Sequence, residues 1–472
     1  MFEPTVYGRR REALRAAMPG ALILFLGHDE TPMDFRANVY PFRQDSCFRY
    51  FFGLHRPGLA GLIDADSGED WLFGDDPGID GTIWLGETES LAAAAERVAV
   101  RRTASRDGLA GRLAQTADRP VLYPPPYRAE TRTTLDRLLG NGAANGPEDR
   151  LVRAIVALRE IKQADEIAEM EAGLAVTREM HHAAMALTRP GASEQAIVGR
   201  LEGMIREAGL RHAYQPIFSG RGEILHNLRY DRALGAGELV VHDAGVWSAG
   251  GYATDITRTI PVSGRFDPLQ ARLYDAVLSA QTQAIEACRP GVSFLDIHLG
   301  AARVMAEALC DLGLFRGEPE RVVSSGAYAL AFPCGVGHQI GLDVHDMEAL
   351  GEERVGYDDA VRRSDLFGLK SLRLGKVLRP GMTVTIEPGL YFIPQLIAMW
   401  RAEGRHGAMI DYDRFEDFAK FGGIRIEDDV LVTPDGGRVL GPSIAKERDE
   451  MEVFMNGRGF KPAGSAACTP AA

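Results

Sequence analysis

The sequence predicts an α/β protein of two domains, and three observations carry that prediction. Up to about residue 138, short apolar runs of strand length alternate with helical ones. A break rich in Gly, Asn and Pro, "LLGNGAANGPEDR" at 138–150, then reads as a linker or loop. Beyond it a phrase recurs, "RPGAS" from Arg189 and "RPGVS" from Arg289, each time between two long helical patterns.

Taken in order, the opening "MFEPTVYGRRREALRAAM" is charged and helical, with no apolar core before a cleavage site, so no signal peptide is expected. "ALILFLG" (21–27), "AGLIDAD" (60–66) and "RPVLYPP" (119–125) read as strands, and "SLAAAAERVA" (90–99) as a helix. "ADEIAEMEAGLAVTREMHHAAMALT" (164–188) is a long amphipathic helix. Ser193 and Ser293 are expected N-caps of the helices after each RPG turn, because a Ser hydroxyl accepts from the free N–H groups of a first turn. Those second helices end in "EAGL" (207–210) and "DLGL" (311–314), and both units lead into strand-rich sequence. A pseudo-twofold domain with two copies of a helix pair plus strands follows. The final "GRGFKPAGSAACTPAA" reads as a disordered tail. The expected boundaries are 1–155 for the N-terminal α/β domain, 156–450 for the second domain and 451–472 for the tail.

Composition excludes several function classes. The net charge of −13, without a basic stripe, argues against a nucleic-acid partner. No apolar run is long enough to span a membrane. Five scattered cysteines, Cys47, Cys288, Cys310, Cys334 and Cys468, fit a reducing cytoplasm better than a disulfide framework.

Chemistry-bearing residues gather in the second domain. In "LVVHDAGVWSAGGYATDITRTIPVSG" (239–264), two strands joined by a Gly-rich turn carry Asp243 and Asp255, although buried strands avoid Asp. Thr257 shares the face of Asp255 and is placed to orient its carboxylate. "AFPCGVGHQIGLDVHDME" (331–348) holds His338 and His345, seven apart, so on a continuous strand they would face opposite ways and a bend must intervene. Glu387 ends the β-branched run of "MTVTIEPGLYF" (382–392), a costly place for a carboxylate unless it is paired or bound to metal. Arg425 and Glu427 share a face in "FGGIRIEDDVLVT" (421–433), and His226 precedes the Asp243 strand. Asp243, Asp255, His338, Glu387 and Glu427 together are four carboxylates and one imidazole. Two divalent cations would neutralise them. Mostly oxygen ligands favour Mn²⁺, with Zn²⁺ or Co²⁺ as alternatives. Such a pair, about 3.5–4 Å apart, can hold a bridging hydroxide and polarise a carbonyl.

In this order, "DAG…YATDITRTIPVSG", "GVGHQIGLDVHD", "TIEPGLYF" and "GIRIEDDVLVT" resemble the pita-bread metallopeptidases, and most closely prolidase and aminopeptidase P, which hydrolyse Xaa-Pro bonds. "YPFRQDSCFRYFFGLHRPG" looks like the start of that family's N-terminal domain and "LREIKQADEI" like its interdomain helix. The resemblance implies a creatinase/prolidase-like N-terminal domain with a part in oligomerisation and substrate gating, and a pita-bread catalytic domain. It implies Asp243, Asp255, His338, Glu387 and Glu427 as ligands of two metals, with Asp255 and Glu427 bridging. It further implies Glu387 as proton acceptor, His226 and His345 as substrate contacts, Arg425 as support for the bridging Glu, and a homo-oligomer, dimer or tetramer. Arg373, fourteen residues before Glu387, matches the prolidase arginine that binds a C-terminal carboxylate. With the long connection between Glu387 and Glu427, it makes Xaa-Pro dipeptidase the expected activity. Xaa-Pro aminopeptidase on longer peptides is the alternative, and a non-catalytic pita-bread binding protein the more distant one. Cys334 departs from the family pattern, which has His there, and so touches the support of the site rather than its ligands.

Overall fold

The computed structural model describes residues 2–116, 118–140, 142 and 148–458, and its chain divides into two compact units. The first comprises Met1–Ile161 with Met347–Val355; the second comprises Lys162–Asp346 and the chain from Gly356 onward. The 457–472 tail reading falls almost wholly outside the described residues, as does much of the 138–150 break, which here lies between helices Ala129–Leu139 and Asp149–Arg159. Among the described residues no helix is long and apolar enough to cross a membrane.

The first unit opens with helix Pro4–Ala17 and is built on a five-stranded mixed sheet. Its order is Arg102–Ala104, Asp70–Phe73, Ala60–Asp64, Leu22–Leu26 and Val121–Leu122. All five residues of "LILFL" are buried, as expected of a strand covered on both faces. Leu22, Leu24, Leu62, Phe73 and Leu135 meet in its core.

The second unit is doubled. Helices Ala164–Leu187 and Glu194–Glu207 form the first pair, Pro268–Ala287 and Phe294–Asp311 the second. Ser193 and Ser293 cap as the repeat predicts, accepting from Ala196 N–H at 3.3 Å and Asp296 N–H at 3.1 Å. The same hydrogen bonds then tie each RPG turn to the strands that follow. Gly191 N–H donates to Leu234 O, and Gly291 N–H to Leu378 O; Leu234 N–H returns to Ala192 O, and Leu378 N–H to Val292 O. Aligned on these leucines, "LGAGELVVHDAG" matches "LRPGMTVTIEPG", which makes Asp243 and Glu387 counterparts. Each half supplies a three-stranded antiparallel sheet: Thr257–Pro261, Leu239–Asp243 and Ile217–Ser219 in one, Thr383–Ile386, Asp428–Thr433 and Gly436–Val439 in the other. The halves join where Thr257 bridges Glu427. The buried Arg258 guanidinium locks this seam by donating to Thr257 O, Glu427 O and Asp428 Oδ1.

Two local readings are corrected. "LREIKQADEI" is not one helix: a helix stops at Arg159 and another starts at Ala164, where Gln163 and Glu166 form a reciprocal capping box. Asp255 lies two residues before its strand, which starts at Thr257, opposite Asp243 in the register.

Candidate metal centre

Strand ends and two irregular segments of the second unit bring the predicted residues around one cavity of about 510 Å³. Asp243 closes the central strand of the first sheet. Glu387, its counterpart, follows strand Thr383–Ile386, and Glu427 stands just before strand Asp428–Thr433. His338 and His345 lie in a stretch without regular strand, on either side of a bend, with ring centroids 4.3 Å apart. The bend is how two residues at odd spacing reach one site. Gly337 permits the close seating of that stretch, because a Cβ there would stand 2.0 Å from Thr385 O.

Asp255, His338 and Glu427 each offer a donor atom within 4.8 Å of the other two. His338 Nε2 is 3.5 Å from Asp255 Oδ2 and 3.4 Å from Glu387 Oε1. Its Nδ1 is 3.0 Å from Gln339 O, and a carbonyl only accepts, so Nδ1 carries the proton in that contact. Nε2 is thereby left with its lone pair aimed at the carboxylates, the tautomer a metal ligand needs. Asp243 and Asp255 share Tyr214, whose hydroxyl is 2.5 Å from Asp243 Oδ1 and also contacts Asp255 Oδ1. A phenol has one proton, so it serves only one of them at a time.

Arg425 is the buried cation of the site. It donates to Asp243 Oδ2 at 2.6 Å, to the Tyr391 hydroxyl at 2.9 Å and to Thr257 Oγ1 at 3.2 Å. Thr257 in turn donates to Glu427 Oε2 at 2.6 Å. Thr257 therefore orients Glu427 rather than Asp255, and links Arg425 to Glu427 by hydrogen bonds. The reason is the missing strand at Asp255, which removes the shared face the spacing assumed.

The electrostatics test whether a metal fits. Burial, reinforced by the charge of Asp243, pushes the Asp255 carboxyl above its ordinary range. Burial and then Asp255 and Glu387 push Glu427 far up, and burial raises Glu387 despite His338 and Arg425. Burial by itself would lower Arg425, but Tyr391, Asp243, Glu387 and Glu427 carry it well above its usual value. One guanidinium does not offset the burial of Asp255, Glu387 and Glu427, whereas divalent cations would. The donor set of carboxylate oxygens and one imidazole fits such ions.

His226, Cys334, His345 and Arg373 also line the cavity. The Cys334 thiol is raised to about 12, first by burial and then by Glu387. Sequence reasoning missed Tyr214 and Tyr391, which carry no spacing signal, and Asp429, whose Oδ2 accepts the Asp255 N–H at 3.1 Å.

Comparison with known proteins gives the family of the chain. The sequence profile described as "Metallopeptidase family M24" matches residues 168–434, and "Aminopeptidase P, N-terminal domain" matches 7–123. The chain is 29% identical to the Xaa-Pro dipeptidase of Homo sapiens, over 94% of this chain and 90% of that protein. It is 32% identical to Xaa-Pro aminopeptidase 1 of Streptomyces coelicolor, over 94% and 86%. It is similar to the structure of aminopeptidase P from E. coli with the inhibitor Pro-Leu, with a TM-score of 0.80 and 28% identity, covering 97% of this chain and 99% of that one.

Proposed function

The chain belongs to metallopeptidase family M24 and is a metal-dependent hydrolase of Xaa-Pro bonds, and we propose that it acts as an Xaa-Pro aminopeptidase on peptides longer than two residues. The convergence of Asp243, Asp255, His338, Glu387 and Glu427 on one cavity carries the hydrolase reading. The structural match along nearly the whole chain to aminopeptidase P supports the aminopeptidase reading, while the sequence relatives include enzymes of both kinds. Those five residues would hold two divalent cations, Mn²⁺ best suited by the oxygen-rich set. Bound there, such cations supply Lewis acidity toward the scissile carbonyl and a lowered pKa for water.

The chain's own groups do the rest. Glu387, one-fifth exposed toward the cavity, takes the proton of the attacking water and passes it to the proline nitrogen as that bond breaks. This transfer matters because the Xaa-Pro nitrogen is a tertiary amide with no hydrogen of its own. His226 and His345 contact the substrate, and His345 steadies charge developing on the carbonyl oxygen. Arg425 holds Asp243 and, through Thr257, Glu427.

One observation favours the dipeptidase as a second reading: Arg373 stands on the cavity wall, where a guanidinium can fork onto a free proline carboxylate. Hydrolysis of Ala-Pro and Ala-Pro-Ala by the wild type and Arg373→Ala decides between them. The aminopeptidase reading expects Ala-Pro-Ala to be preferred and the substitution to affect both alike. Selective loss of Ala-Pro cleavage would instead favour the dipeptidase.

A further inference from the structure

Beside the metal centre lies a second pair of charges that the chemistry above does not use. The Lys162 ammonium and the Asp346 carboxylate meet at 2.7 Å, with 1% of each side chain exposed. Withdrawing two charges from water is expensive, and apolar residues of similar volume often replace such a pair without loss of stability. The side-chain contact of this pair is made on the segment that carries the site histidines.

Asp346 closes that segment on itself. Its N–H donates to Gln339 O at 2.9 Å, and that same carbonyl holds the Nδ1–H of His338 at 3.0 Å. Its Oδ1 accepts from Asp343 N–H at 3.3 Å, while Oδ2 takes Lys162. His345, the residue before it, packs edge-on against the His338 ring. Lys162 is fixed in turn by its own N–H, which donates to Gly381 O at 2.8 Å, on the approach to the strand that delivers Glu387. Gly341 leaves room for the pair: a Cβ there would stand 2.4 Å from Asp346 Oδ2 and 2.8 Å from Lys162 Cε.

We propose that Lys162 is a positioning residue of the metal centre: by holding Asp346 it fixes the direction of His338 and the place of His345. The order of contact runs from Lys162 through Asp346 and the Gln339 carbonyl to the imidazole that faces Asp255 and Glu387. This rests on His338 being a metal ligand, as in the functional reading above.

Titration of the full-length protein with Mn²⁺, alongside hydrolysis of Ala-Pro-Ala, tests it. Lys162→Met and Asp346→Asn are each expected to weaken Mn²⁺ binding about 10- to 100-fold, as loss of support behind a ligand does, at temperatures where circular dichroism shows the fold intact. The double variant Lys162→Met/Asp346→Leu removes both charges, and so folds even if the single variants do not. It too is expected to bind Mn²⁺ weakly, because the Asp346 side chain no longer ties the histidine segment to Lys162 or to Asp343 N–H. Wild-type Mn²⁺ affinity in any of these folded variants overturns the proposal. A wild-type protein that binds Mn²⁺ but leaves Xaa-Pro peptides intact overturns the functional reading instead, and the two failures are separate.

Discussion

Arg425 illustrates what single residues contribute. Its three donor directions meet Asp243, Tyr391 and Thr257 at once, a task that a planar fork performs and a point charge does not. Arg425→Lys keeps the charge and loses the fork. Its kcat/KM on an Xaa-Pro peptide is expected to fall about 10- to 100-fold without unfolding. Unchanged kinetics would mean that only the charge matters. Asp255→Asn is the stronger test of the centre, because it removes a negative charge from a carboxylate that faces both His338 and Tyr214. Metal loading and hydrolysis are expected to disappear together, and full activity with no bound metal would contradict the metallohydrolase reading.

Segments matter through how closely they seat. The His338 stretch is pinned to strand Thr383–Ile386 by the bridge from Gln339 to Val384, and His338 N–H donates to Thr385 Oγ1 at 3.0 Å. Gly337→Ala would place a methyl carbon against Thr385 O, so the stretch must back away from the strand. Weaker Mn²⁺ binding and a lower Tm are expected, and an unaltered Tm would show that the stretch has slack. In the first unit, helix Ile79–Leu85 buries none of its residues, and Ile83, Trp84 and Leu85 are 68%, 84% and 77% exposed. Apolar patches of that kind mark interfaces, and we propose this helix as a contact of the homo-oligomer that the family resemblance implies. Trp84→Glu is expected to lower the mass measured by light scattering, and an unchanged mass would remove this helix from the assembly.

For the molecule as a whole, pH dependence follows from buried neutral histidines. His298 is held down to about 3 by burial, with its Nε2 2.9 Å from the Tyr328 hydroxyl. His181 is also held well below its ordinary value, by burial and then by His242 and Arg258. Both are depressed in the fold, so below about pH 6.5 the unfolded chain binds protons that the folded chain refuses. The stability lent by keeping them neutral is present in full at neutral pH and drains away as pH falls below about 6.5, for His298 on toward about 3. Denaturant unfolding from pH 7 to 4 should show this slope, and His298→Phe should flatten it. An unchanged slope would place the acid sensitivity elsewhere.

Much of this was legible in sequence because it is local. Strand-length apolar runs, the capping Ser193 and Ser293, and the five candidate ligands follow from burial, hydrogen-bond chemistry and the cost of a carboxylate in a strand. The doubling of the second unit was visible in the RPG turns. That Asp243 and Glu387 are counterparts emerged only when the same turn-to-leucine hydrogen bonds were found in both halves. What sequence could not supply is register across the seam. Asp255 sits outside its strand, so Thr257 turns to Glu427, and Tyr214, Lys162 and Asp429 meet their partners across separations of up to 184 residues. The residue types around the metal were set by the chain alone, because their chemistry is intrinsic to them. Which of them touch was decided by the packing of two half-sheets, since contacts between distant strands depend on a register that no local pattern encodes.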